Sequence, residues 1–247
     1  MKRRRFQGLL GIAALLVLWE VLSLLVPGGF IPDPLTVCAR LLVLLPRSLW
    51  RHILVSLGRI TAGLAAALLL AVPAGLALGR VQVLDRVFSP AAYLLYPVPK
   101  IALLPVIMLL FGLGNMSKVL IVFLVLFFQV LVATRDAARS VPAPYLLSMR
   151  SLGARRVQTF RYLLWPALLP ALLSSLRIGT GTALAVLFFA ETFGTSLGLG
   201  WFVMESWMRV SYVDMFAGIL ALGLLGLGLF FCIDLAQKRL CRWQAKV

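Results

Sequence analysis

Ile60-TAGLAAALLLAVPAGLAL-Gly79 carries no charged residue from end to end. A helix rises 1.5 Å per residue, so about 20 largely apolar residues cross the hydrocarbon core of a bilayer, and this run has that length. In a water-soluble domain such a stretch would have to be covered on every side, whereas lipid is itself the cover. Residues 58–79 therefore read as a transmembrane helix, and the rest of the chain is read outward from them.

Five further segments share this character, centred on residues 8–26, 88–112, 117–134, 172–193 and 214–234. Two of them are interrupted by an ionisable group, Lys100 in 88–112 and Glu191 in 172–193. Composition agrees with the segments: of 247 residues 62% are apolar and 13% charged, and the mean hydropathy is +1.02. That leaves too little polar surface for a soluble domain of this length. The expected fold is all-α, a polytopic membrane protein of six transmembrane helices forming one domain over residues 1–247. The formal net charge of +16 does not point to nucleic acid, because Lys and Arg are not gathered into an accessible soluble domain.

Lys2-Arg3-Arg4-Arg5 followed by the apolar run Gly8–Val26 has the outline of a signal peptide. The run exceeds the roughly 7–15 residues of a signal core, and Leu25-Val26-Pro27-Gly28-Gly29 lacks a small-x-small cleavage site, so it reads as an uncleaved first span. Cys38, Cys232 and Cys241 have no zinc-ligand spacing, and His52 is the only histidine. Neither a metal site nor a Ser-His-Asp set is expected.

Orientation follows from the basic residues. With the N-terminus inside, the inner segments hold Lys2–Arg5, then Arg80 and Arg86, then Arg135, Arg139, Arg150, Arg155, Arg156 and Arg161, then Lys238, Arg239, Arg242 and Lys246. These are most of the 24 basic residues, which places both termini in the cytoplasm of a plasma (inner) membrane. Arg40, Arg47 and Arg51 run against the rule. The outer turns are marked by Pro27-Gly28-Gly29, Gly112-Leu113-Gly114-Asn115 and Gly194–Gly200. Residues 34–50 and 201–212 mix apolar and charged positions and read as short interfacial helices.

The inner segment Tyr145-LLSMRSLGARRVQTFRYLLWPALLP-Ala171 reads as a helix, a break at Gly153, and a second helix ended at Trp165-Pro166, since proline cannot continue the hydrogen-bond ladder. Leu146, Leu147, Met149 and Leu152 give the first helix an apolar side beside Arg150, Arg155 and Arg156. By its residues alone such a helix either inserts into a groove on a partner or lies on lipid headgroups.

The pattern S-L-G-A-x5-F-x5-P-x3-P at Ser151–Pro170 resembles the coupling loop of type I permeases in binding-protein-dependent ABC importers. The resemblance implies a loop, about residues 143–166, that docks on an ATPase subunit through Leu147, Met149, Arg150, Leu152, Gly153, Ala154, Phe160 and Pro166. Leu147-Ser148-Met149 stands where that family has Glu-Ala-Ala. Tyr96-PVPKIALLPVIMLLFGLGNMSK-Val119 and Ala190-ETFGTSLGLGWFVMES-Trp207 are similar to the branch that imports nitrate, sulfonates and taurine. The implied function is a non-enzymatic transport subunit that forms the pathway of a small anionic solute by alternating access. The implied partners are two ABC ATPase subunits, an extracytoplasmic solute-binding protein and a second, identical permease copy in the lipid membrane. No G-x-x-x-x-G-K-[ST] loop occurs, so ATP is expected on the partner and no cofactor on this chain.

Lys100, Glu191 and Thr192 are the candidate pathway residues. Lys100 lies near the middle of its segment among Pro97, Pro99 and Pro105, which predict a broken or kinked span. It either faces a solute or bonds the carbonyls that those prolines leave free. Glu191 is either functional, as an intramembrane charge, or structural among Thr192, Thr195 and Ser196. Arg177 is expected to reach the headgroups, and Gly218, Gly223, Gly226 and Gly228 to permit close helix packing.

Overall fold

The computed structural model describes residues 2–26 and 28–243. Pro27 and Lys246, used above for a turn and for orientation, lie outside the described residues. Every regular element among the described residues is helical. Among the described residues four helices are long and apolar enough to cross a membrane: Pro34–Arg80, Asn115–Arg139, Arg156–Glu191 and Tyr212–Leu240. The pair Gln82–Leu95 and Lys100–Phe111, bent by 86°, makes a fifth if counted as one span. Leu10–Leu25 is a shorter apolar helix. The helices therefore support four to five spans by length and composition.

The chain divides into two compact units. The first comprises Met1–Ser56 and Thr195–Leu224. It holds α1 (Lys2–Leu25), α2 (Pro34–Leu44), the start of α3 (Trp50–Arg80), α10 (Leu199–Met208) and the first half of α11 (Tyr212–Leu240). Asp33 caps α2 by accepting the Thr36 N–H at 2.8 Å, and the Thr36 hydroxyl, with that N–H, holds its carboxyl below the usual carboxylate range. Trp19 of α1 donates its indole N–H to the Pro32 carbonyl at 3.0 Å and stacks on Phe216, while Arg40 pairs with Asp214 at 2.6 Å. His52 meets the Gly198 backbone at 3.1 Å and stacks on Trp201 at 5.3 Å, so the lone histidine holds a loop.

The second unit comprises Leu57–Gly194 and Leu225–Val247. Its core is the packing of α6 (Asn115–Arg139) on α9 (Trp165–Glu191), with the rest of α3 and the second half of α11 alongside. The buried residues of α6 recur at helical spacing, Ile121, Val122, Leu126, Val130, Thr134 and Ala138. α3 reaches this stripe through glycine. A Cβ at Gly75 would stand 2.7 Å from the Leu131 carbonyl oxygen, and one at Gly79 would stand 2.6 Å from Ala138 Cβ. Small residues allow backbones to approach in this way. In α11 the same holds for Gly218 and Gly226, whereas Gly223 and Gly228 face open space.

Two expectations are corrected. The helix did not end at Trp165-Pro166: α8 (Arg156–Thr159), a π turn (Phe160–Leu164) and α9 form one helical stretch to Glu191 that passes both Pro166 and Pro170. A π turn with the Trp165 N–H bonded to the Phe160 carbonyl widens the ladder just before Pro166, relieving the clash that proline makes with the preceding turn. Residues 34–50 are likewise not a separate interfacial helix, because a π turn at Leu45–Leu49 carries α2 directly into α3.

Overpacking a filled helix contact costs about 1–3 kcal/mol, whereas alanine gains about 0.5–1 kcal/mol over glycine in an open helical position. Gly75→Ala should therefore lower the melting temperature of the detergent-solubilised protein, while Gly223→Ala should hold or raise it. Equal effects from the two substitutions would show that α3 does not touch α6 at Gly75.

Candidate functional site

At one end of the second unit four polar side chains from three helices meet. The Arg59 guanidinium of α3 donates to Glu191 of α9 at 2.8 Å and to the Asn115 side-chain oxygen of α6 at 2.7 and 2.9 Å. Arg59 and Glu191 are 5% and 1% exposed, so the pair is sealed from solvent. Lys118, one turn along α6 from Asn115, is fully buried, and its ammonium donates to the carbonyls of Leu113 and, at 3.4 Å, Gly194. Gly112 and Gly194, which shape the two turns that meet here, take positive φ of 78° and 58°. Glu191 thus stands in an ion pair, and Thr192 donates its hydroxyl to the Phe189 carbonyl at 2.7 Å, closing the end of α9. Arg59 and Lys118 were not singled out in the sequence. Each sits near the edge of an apolar run, where a charge reads as an interfacial anchor.

Lys100 lies elsewhere. α4 (Gln82–Leu95) and α5 (Leu104–Phe111) are separated by residues 96–99 and a 3-10 turn, Lys100–Leu103, at the bend that the prolines foretold. The α4 carbonyls left open by this break are met by Lys100, which donates to Leu95 at 2.8 Å and to Tyr96. Its ammonium also lies over the rings of Tyr96 and Phe128, at 5.6 and 5.1 Å. The same side chain lines a cavity of about 370 Å³ between the break, α6 and α9. Gln129 and Thr182 supply further polar groups to its wall, and Val125, Ile178 and Val186 supply apolar ones. Neither Glu191 nor Thr192 lines it.

A third set of charges ties α4 to α6. Asp85 accepts from Arg135 and Arg139 at 2.5 Å each and from Ser89, and Arg135 also reaches Asp136 at 2.7 Å. Arg139 and Asp136 are about half exposed, so their contacts are cheap to rearrange, whereas Asp85 and Arg135, 14% and 11% exposed, are largely buried. Arg177, expected at the headgroups, pairs with Asp234 at 3.2 Å.

The Gly153 segment forms an exposed elbow. α7 (Ala143–Ser151) ends in a Schellman motif, in which the Gly153 N–H bonds the Arg150 carbonyl at 2.9 Å and the Ala154 N–H bonds the Met149 carbonyl at 3.0 Å. Gly153 takes φ +72°, and a Cβ there would meet nothing within 4 Å. Glycine is thus demanded by the backbone and not by crowding. Leu147 and Leu152 are 59% and 82% exposed, Arg150 is exposed beside them, and Met149 and Ala154 are half-buried. Phe160 packs on Trp165 at 5.9 Å where the elbow returns to the bundle, and Pro166 follows half-buried.

A helical membrane bundle with a broken span and an exposed, glycine-capped elbow is the architecture of an importer permease. The chain belongs to the family of binding-protein-dependent transport system inner membrane components, whose model matches residues 59–246. It is 31% identical to the taurine transport system permease protein TauC of Escherichia coli over 96% of this chain and 89% of that one. It is 29% identical to the formylaminopyrimidine transport permease protein ThiX of Halalkalibacterium halodurans over 99% of both chains. Inward-facing structures of the MetNI methionine ABC transporter share its fold, with a TM-score of 0.61 at 20% identity over 78% of this chain and 94% of that one. The protein is therefore a membrane-embedded ABC importer permease, a transport subunit that works with a separate ATPase and a binding protein.

Removing one partner of a buried pair costs about 3–5 kcal/mol, because the other is left charged and dry. Glu191→Leu should destabilise the solubilised protein strongly, and Arg59→Met with Glu191→Leu should recover part of that loss. A double variant no more stable than Glu191→Leu would dissolve the pairing. At the elbow, asparagine tolerates positive φ and β-branched residues do not. In the assembled importer Gly153→Asn should retain more solute-stimulated ATP hydrolysis than Gly153→Val, and equal stimulation in both would remove the elbow from coupling.

Proposed function

We propose that the chain pairs with a second copy of itself and forms, by alternating access, the transmembrane pathway of a small anionic solute such as nitrate, a sulfonate or taurine. Both termini face the cytoplasm, where the loop over residues 143–166 docks on the ATPase. The exposed apolar side chains of Leu147 and Leu152 beside Arg150 supply the docking surface, and the positive φ of Gly153 fixes its direction.

The observation that carries the anionic reading is Lys100 on the wall of the cavity. An ammonium held only by carbonyls and aromatic faces inside a membrane protein lacks a counter-charge, and an anion passing beside it supplies one. The relatives carry solutes of different chemistry, so relatedness leaves the solute class to the cavity itself. Glu191 and Thr192, set at the sealed end of α9, support the pathway from outside it. α4 and α5 offer the second copy a broad apolar face, with Leu94 75% and Leu109 85% exposed.

Lys100→Met should reduce ATP-driven uptake of the transported anion at least tenfold in proteoliposomes holding the complete importer, whereas Lys100→Arg should retain most of it. Uptake by Lys100→Met at the rate of the unaltered importer, in complexes matched for assembly, would take Lys100 out of the pathway.

A further inference from the structure

At the wall of the Lys100 cavity α9 carries a notch. Gly179 is buried, and a Cβ there would stand 2.8 Å from Gln129 Oε1, 2.8 Å from Leu126 Cδ2 and 3.2 Å from Gln129 Cδ. The Gln129 side chain of α6 therefore occupies the space that a side chain at 179 would need. One helical turn earlier the Gln129 carboxamide donates to the Ser175 carbonyl at 3.2 Å, and the Ser175 hydroxyl donates to the Gln129 backbone carbonyl at 3.4 Å. Notch and reciprocal bonds together hold this one side chain against α9.

Gln129 also lines the cavity, in company with Lys100 and with Ile178 and Thr182 of α9. A carboxamide has two N–H donors and an acceptor oxygen. One donor is engaged by Ser175, and the other, with the oxygen, is bonded to no described residue. Such a group offers an N–H to an anion beside Lys100 without adding charge, and holding it in one direction removes part of the ordering cost of the contact. Leu126, the other side chain over the notch, is fully buried, whereas Gln129 borders open volume of about 370 Å³. A methyl group at 179 would accordingly drive the carboxamide into the cavity. We propose that Gln129 contacts the passing solute and that Gly179 is the positioning residue that sets how far its carboxamide reaches.

The inference rests on the reading that the Lys100 cavity belongs to the solute pathway. Its test is uptake of nitrate, taurine and ethanesulfonate into proteoliposomes holding the complete importer, each solute saturating the binding protein. Gln129→Leu should lower uptake about tenfold, the effect of one lost hydrogen bond to a charged group, and should change the ratios among the three rates, whereas lost packing would lower all three in proportion. Gly179→Ala should lower uptake by a similar factor. In a Gln129→Ala background Gly179→Ala should change uptake by no more than about twofold, as for independent sites. In a Leu126→Val background, which relieves the other contact, it should still lose the full factor. Melting temperatures of the solubilised variants establish that each pair is folded. Rescue by Leu126→Val and not by Gln129→Ala, or Gln129→Leu with the rates and ratios of the unaltered importer, would overturn the inference. If that occurs while Lys100→Met still reduces uptake, the pathway reading stands without Gln129, and if Lys100→Met also transports normally, both fall. Uptake of none of the three anions by the unaltered importer would remove the anionic reading and this inference with it.

Discussion

The second unit depends on a charge pair that packed helices seal from water. Arg59 and Glu191 lie 132 residues apart in the chain and 2.8 Å apart in space, and Asn115 accepts from two further guanidinium nitrogens. Each charge alone would be prohibitive in that place, so the three helices that carry them are obliged to stay together. Lys118 extends the obligation to the turns before α6 and after α9 by bonding their carbonyls. Asp85 and Arg135 form a second, largely buried pair, 14% and 11% exposed, and only Arg139 and Asp136 at its edge are exposed enough to exchange partners at little cost. For the proposed transport cycle this makes α3, α6 and α9 a stiff body, to which Asp85 holds α4 up to the 86° break.

Function is built on the same division. The stiff body presents Gln129 and Thr182 to the cavity, while the break brings Lys100 to it and satisfies the carbonyls that the break itself exposes. One lysine therefore repairs the helix end and places a charge on the cavity wall. At the elbow the backbone imposes the constraint: Gly153 has open space around it, yet its positive φ completes the Schellman motif that turns the chain from α7 toward α8.

Much of this was legible in the sequence wherever the governing physics is local. The uncharged run Ile60–Gly79 indicated a membrane helix, and Pro97, Pro99 and Pro105 around Lys100 indicated a broken one. Gly153 stood out as a break because glycine at a helix end has a known backbone cause. The rest depends on partners distant in sequence. No local pattern tells that Arg59 will meet Glu191, or that Gly75 will face the Leu131 carbonyl. The proline at 166 misled for a related reason, since a π turn one step earlier, which no residue type announces, carries the helix past it. Six apolar segments were countable, but helix continuity across Leu45–Leu49 and the bend at residues 96–99 decide how many act as spans.

The central proposal is that this permease moves a small anion only when a separate ATPase drives it. The direct measurement is uptake of a radiolabelled alkanesulfonate into proteoliposomes holding the permease alone, the permease with its ATPase, or both with the binding protein and ATP. The account predicts accumulation only in the complete, ATP-supplied system. Concentrative uptake by the permease alone, driven by an ion gradient, would contradict it.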